Sequence, residues 1–102
     1  MLPEIASKVL PDGRALLPVL SERQAESLLF IYRYALEHRD YPLGTEIAEH
    51  LGVSKQAVAS LLAALLKKGY IFRDHSVAQR NIRLTPEAVE KMRLVEGEPT
   101  HA

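Results

Sequence analysis

The side chains of this sequence that could do chemistry are cationic and clustered. Between Ser54 and Arg83 stand Lys55, Lys67, Lys68, Arg73, Arg80 and Arg83 against Asp74 alone, a balance of plus five in thirty residues. Ammonium and guanidinium groups at that density hold polyanions, the guanidinium through paired donors. Solvated helix and strand faces are the plainer reading of any charge run, so the surroundings of the block must decide. Gln56 and Ser60, which can donate and accept hydrogen bonds, lie in the same block beside the small residues Ala59 and Ala63. Other chemistry is thin. Glu46 and His50 have an i, i+4 spacing that could seat a metal, but His38, His75 and His101 are scattered and complete no ligand set. There is no glycine-rich phosphate loop, no GxSxG and no carboxylate pair beyond ordinary surface charges, so neither an enzyme nor a cofactor is expected. The absence of cysteine excludes disulfides, thiolate metal sites and cysteine nucleophiles.

The elements that must carry these residues follow from capping signals and periodicity. Ser21 and Gln24 form a capping-box pattern, and Ala25, Leu28, Leu29, Tyr32, Ala35 and Leu36 form an apolar stripe to about His38, which predicts a helix. Phe30, Ile31 and Tyr34 are expected on its other side as a second apolar face. Asp40-Tyr41-Pro42 breaks the chain, and Thr45 to Leu51 is a short helix with Ile47, Ala48 and Leu51 inward, ended by Gly52. Ser54 caps a longer helix, Lys55 to Lys68, whose buried stripe is Val58, Leu61, Leu62 and Leu65. Lys67-Lys68-Gly69 closes it, with cations at the negative end of the dipole and a glycine for a left-handed turn. Tyr70 to Asp74 and Arg80 to Leu84 read as a hairpin around His75 to Gln79, with Ile82 and Leu84 inward and Arg83 outward. Thr85-Pro86 opens a last helix with Ala88, Val89, Met92 and Val95 on its apolar side.

The order is helix, short helix, tight turn, longer helix, basic hairpin, helix. That is a mainly α, winged helix-turn-helix layout: a three-helix core, a two-stranded β wing and an extra C-terminal helix. Placed at about 100° per residue, the longer helix puts Gln56, Ala59, Ser60, Ala63 and Lys67 opposite its leucine stripe. Small side chains there would let the backbone approach a surface closely.

Composition bounds what remains. At 102 residues the chain has the size of one domain, and 47% hydrophobic with 25% charged residues is the balance of a folded globular protein. The formal net charge of zero conceals acidic flanks: residues 1 to 53 balance at minus three and residues 84 to 102 at minus two. No apolar run approaches the roughly 20 residues of a membrane span, and charges and prolines interrupt the first twenty residues, so a cytoplasmic protein without membrane association is expected. Residues 1–19 are read as a proline-rich arm, 20–96 as the domain and 97–102 as a flexible tail.

Thr45 to Val58, the passage Leu62 to Ile71 and the segment Ile82 to Glu87 resemble bacterial winged-helix transcription regulators, particularly the MarR type and the N-terminal DNA-binding domain of LexA. The resemblance spans about Leu20 to Leu94. It implies recognition of double-stranded DNA, with helix 55–68 in the major groove and wing 70–84 on the backbone. The residue types fit: Gln56 can pair bidentately with adenine, Ser60 can donate or accept, and Ala59 and Ala63 admit a thymine methyl or close approach. Ser54, Lys55, Lys67, Lys68, Arg73, Arg80 and Arg83 are the expected phosphate ligands, which position without specifying. Glu46 and Glu49 would repel phosphate if their face of the short helix met the backbone. The wing tip His75 to Gln79 carries no fixed positive charge, which argues against its insertion into the minor groove.

A transcription regulator, more specifically a repressor, is the function expected on this reading. The alternative is a winged-helix protein–protein adaptor that binds no DNA. One helix-turn-helix reads few base pairs, so a homodimer on two half-sites is expected, joined through Phe30, Ile31, Tyr34, Met92 and Val95. The same stripe could instead be covered by the chain's own arm.

Overall fold

The computed structural model describes residues 17–96. Within them the order is α1 (Glu22–His38), α2 (Gly44–Leu51), α3 (Lys55–Lys67), β1 (Ile71–Arg73), β2 (Ile82–Leu84) and α4 (Pro86–Glu96). The two strands pair antiparallel with Ile71 opposite Leu84, Phe72 opposite Arg83 and Arg73 opposite Ile82. Four helices and one two-stranded sheet among the described residues make a mainly helical winged helix. Residues 1–16 and 97–102, most of the expected arm and all of the expected tail, lie outside the described residues.

Local contacts fix the start of every helix and the ends of α2 and α3. Ser21 Oγ accepts from the Gln24 amide at 3.2 Å while Gln24 Oε1 accepts from the Ser21 amide at 3.0 Å, a reciprocal box that satisfies two amides at the start of α1. Leu43 lacks a polar side chain, so the first turn of α2 is closed by Glu46, whose Oε1 accepts from the Leu43 amide at 2.7 Å. The helix therefore begins at Gly44, one residue before the expected start. Gly52 ends it in the left-handed region at φ 68. Ser54 Oγ accepts from the Ala57 amide at 3.1 Å and starts α3 two residues later, so two helices meet through a very short turn. Helix α3 closes in a Schellman motif: the Gly69 amide donates to Leu66 and the Tyr70 amide to Leu65, with Gly69 at φ 83. Thr85 Oγ accepts from the Ala88 amide and its hydroxyl donates to the Gly69 carbonyl at 2.7 Å, pinning α4 to the end of α3.

The hairpin is shorter than its sequence suggests. The Asp74 amide still donates to the Asn81 carbonyl at 2.8 Å, but its carboxylate accepts from the Ser76 amide and hydroxyl, an Asx turn that begins the loop and ends the regular strand at Arg73. Arg80, at φ 53, turns the chain again before β2.

Leu28, Ile31 and Tyr32 of α1, Ile47 of α2, Val58, Leu62 and Leu65 of α3, Ile71, Ile82 and Leu84 of the wing, and Ala88 and Met92 of α4 form one core. This corrects the second apolar stripe. Ile31 is 0% exposed, because it lies three positions beyond Leu28 and thus only about 60° from it, on the core side. Leu36, expected inward, sits at the edge and is exposed. Met92 is likewise 0% exposed and cannot face a partner; Val95 lies beyond the described side chains.

The core also holds a cation that its neighbours in sequence do not announce. Lys91 is 0% exposed, its Nζ donates to Tyr70 Oη at 2.7 Å, and the Tyr70 hydroxyl donates to the Pro18 carbonyl at 2.6 Å. Burial pushes Lys91 down to about 8 and Tyr70 up to about 12.

Candidate nucleic-acid interface

The exposed side of α3 is built as its periodicity requires. Val58, Leu62 and Leu65 are buried, while Gln56, Ala59, Ser60 and Ala63 are all exposed on the other side. Lys55 and Ser54 are exposed at its start and Lys67 at its far end. The Ser54 oxygen is already engaged as the cap of α3, which leaves its O–H as the donor for any further contact. Beyond Gln56 this face carries only the small side chains of Ala59, Ser60 and Ala63, so a flat or grooved partner can come close to the backbone there.

Beside that face runs a cleft of about 470 Å³ between the start of α2, the first half of α3 and the wing, lined by Leu43, Gly44, Thr45, Lys55, Val58, Ala59, Leu62, Arg73 and Gln79. Arg73 is exposed, and its Nη1 donates to Asn81 Oδ1 across the hairpin at 3.1 Å. Two cations on separate elements, Lys55 and Arg73, thus border one cleft whose floor is apolar. Thr45, Gly44 and Gln79 on its rim were not among the expected site residues. Nothing in their own sequence marks them, because they meet only where the start of α2 and the wing loop border the same cleft.

Three of the expected phosphate ligands are spent inside the protein. Arg80 is the clearest correction. Its Nη1 donates to Glu46 Oε1 at 2.7 Å, to Tyr34 Oη at 2.9 Å and to the Tyr41 carbonyl at 3.2 Å. The Tyr34 hydroxyl in turn donates to Glu46 Oε2 at 3.0 Å. The Leu43 amide and then Arg80 hold Glu46 below its usual range, and the Glu46 hydrogen bond raises Arg80 above its own. The same contact answers half of the electrostatic objection to α2: Glu46 meets the guanidinium, whereas Glu49 is exposed. Lys68 donates from Nζ to the Val19 carbonyl and to Gln24 Oε1, both at 2.8 Å, tying the end of α3 to the start of α1. Arg83 stands 3.8 Å from Asp74 and lays its guanidinium over the Tyr41 ring at 5.1 Å. Its alternation with Arg73 and Ile82 puts it on the opposite face of the hairpin from the cleft.

The expected pairing residues on α1 are also partly occupied. Phe30 and Tyr34 are half-buried, Phe30 stacked on His50 at 4.2 Å and Tyr34 on His38 at 4.0 Å. With Leu29 they border a groove of about 540 Å³ on the outer side of α1. Glu46 and His50 do not form a metal site, and among the described residues no group of three or more His, Cys, Asp or Glu side chains is placed to hold an ion.

A short helix packed across a second helix with an exposed small-residue face, followed by an antiparallel hairpin, defines a winged helix-turn-helix domain of the DNA-binding kind. The model of the LexA DNA binding domain family matches residues 18–90, and the chain belongs to that family. It is therefore a DNA-binding winged-helix domain, of a type its sequence resembles. No curated protein sequence matches the chain. No helix among the described residues is long and apolar enough to cross a membrane.

Proposed function

We propose that the protein is a sequence-specific regulator of transcription that places α3 in the major groove of double-stranded DNA and the wing against the neighbouring backbone. The observation that carries this reading is the exposed face Gln56, Ala59, Ser60 and Ala63 standing beside Lys55 and, across the cleft, Arg73. Gln56 reads adenine through paired hydrogen bonds, Ser60 adapts, and Ala59 and Ala63 allow close approach to thymine methyls. Lys55 and Arg73 neutralise phosphates, with Ser54 and Lys67 contributing at the ends of the helix. Repression is the regulatory outcome that occupancy of a site produces without any further surface. The family match favours this function over a winged-helix adaptor.

Two copies bind paired half-sites about one helical turn apart, and the protein works in the cytoplasm. Ile31 and Met92 being core residues, the pairing surface reduces to the α1 groove with Phe30 and Tyr34. Titration of labelled DNA from a random-sequence selection tests the reading as a whole: a discrete enriched motif supports it, and equal binding to every sequence contradicts it. Sedimentation with and without Phe30→Glu tests the pairing, which a dimer lost on that substitution supports and an unchanged monomer refutes.

A further inference from the structure

Arg80 joins an uncommon backbone conformation to hydrogen bonds with three separate parts of the domain. Its backbone is in the left-handed region, where a residue with a Cβ is uncommon and is held by its surroundings. Its guanidinium reaches three separate parts of the domain: Tyr34 on α1, the Tyr41 carbonyl in the following loop and Glu46 on α2. The cation belongs to the wing, and everything it holds belongs to the helical body. The same stretch of wing carries Gln79 and Asn81, and Asn81 orients Arg73. Arg73 and Gln79 thus adjoin the stretch of wing that Arg80 fastens to the helical body.

We propose that Arg80 is the positioning residue of the wing: it touches no DNA, and through Glu46 and Tyr34 it sets the distance from α3 at which Arg73 and Gln79 meet the phosphate backbone. The proposal rests on the DNA-binding reading above and adds to it a residue that acts only through others. Glu46 acquires a role of inverted sign. An acidic side chain near a polyanion should weaken binding, and its removal should help; as the anchor of the wing, Glu46 strengthens binding, and its removal should harm.

That inversion supplies the test. DNA carrying the selected motif is titrated with wild type, Glu46→Gln, Arg80→Met, the double variant and Tyr34→Phe over a range of salt, with hydroxyl-radical footprints of each complex and amide exchange of each free protein. Glu46→Gln is expected to weaken binding, to shallow the salt dependence by about one unit of slope as the wing phosphate is lost, and to leave the base preference unchanged. Protection at the backbone positions under the wing should fade, and the Asp74 amide, bonded to the Asn81 carbonyl, should exchange faster in the free protein. The double variant should bind no worse than the weaker single variant, since both remove one interaction. Tyr34→Phe removes only a hydroxyl, keeps the fold and should give the same change in smaller measure. Arg80→Lys, which can keep the Glu46 pairing, should recover part of the footprint.

Equal or tighter binding by Glu46→Gln with an unaltered footprint, in a wild type that binds, overturns the positioning role alone. Failure of the wild type to bind any DNA overturns the DNA-binding reading and this role with it.

Discussion

Two exposed side chains, Gln56 on α3 and Arg73 on the wing, distinguish the two proposed roles of reading bases and holding phosphate. Gln56 is exposed in the first turn of α3, where a bidentate contact to one base is worth about 1–3 kcal/mol. Gln56→Ala should therefore relax the preference at one base position and leave the salt dependence nearly unchanged. Arg73→Ala should weaken all sequences alike and reduce the salt slope by about one. Arg83 is unsuited to that comparison, because it is packed over Tyr41 and paired with Asp74, and its loss would disturb the hairpin. Legibility at this scale was uneven. The exposed face of α3 could be read from spacing alone, since a helix with one leucine stripe has only one opposite side. Arg80 could not, because its partners Glu46 and Tyr34 lie 34 and 46 positions away and no local pattern links them. Lys91 was missed for a similar reason: its ammonium is buried against Tyr70, a residue 21 positions earlier. Its titration gives a direct check. With Lys91 lowered from 10.5 to about 8, the folded chain holds one proton fewer than the unfolded chain between those values, so stability rises with pH across that window. Tyr70, raised from 10.0 to about 12, keeps a proton that the unfolded chain loses, so its contribution falls as pH rises above 10. Urea unfolding should show stability climbing from about pH 8 to 10 and declining above about 10.5, and Lys91→Met should abolish the climb while keeping the decline.

Among the elements, the caps are where local sequence decides structure. Ser54→Ala removes the acceptor for the Ala57 amide and should destabilise the domain by about 1 kcal/mol in urea unfolding. Gly69→Ala should be worse than that, because the position has φ 83 and a Cβ there would meet Leu17 Cδ2 at 3.3 Å. Equal stability of Gly69→Ala and wild type would mean that the end of α3 is not held as described. These caps were readable because each needs only residues within three or four positions. Strand ends were less so: alternation extended the hairpin to Tyr70–Asp74 and Arg80–Leu84, yet the Asp74 carboxylate takes the Ser76 donors, and beyond Arg73 the pairing thins to the Asp74 amide bond with the Asn81 carbonyl. Helix α1 shows how a stripe can be misdivided. Ile31 fits the i+3 relation to Leu28 as well as Tyr32 fits i+4, and the core takes both. Phe30 and Tyr34 are left at the margin, stacked on His50 and His38.

Across the whole molecule a net charge of zero is the sum of unlike regions, of which the stretch from Ser54 to Arg83 balances at plus five. The structure refines it. Lys68, Arg80 and Arg83 hold the domain together, leaving Lys55, Lys67 and Arg73 as the exposed cations of the block. With fewer exposed cations than the sequence count suggests, non-specific affinity should be modest, and the proposed reading then assigns specificity to the α3 face and to paired sites. The central claim is that this face reads DNA sequence, and a random-library selection with purified protein tests it most directly. The expected result is enrichment of a short motif that Gln56→Ala broadens at one position while Arg73→Ala leaves its pattern intact. A pool that stays random after repeated rounds, or a motif identical in wild type and Gln56→Ala, would contradict it.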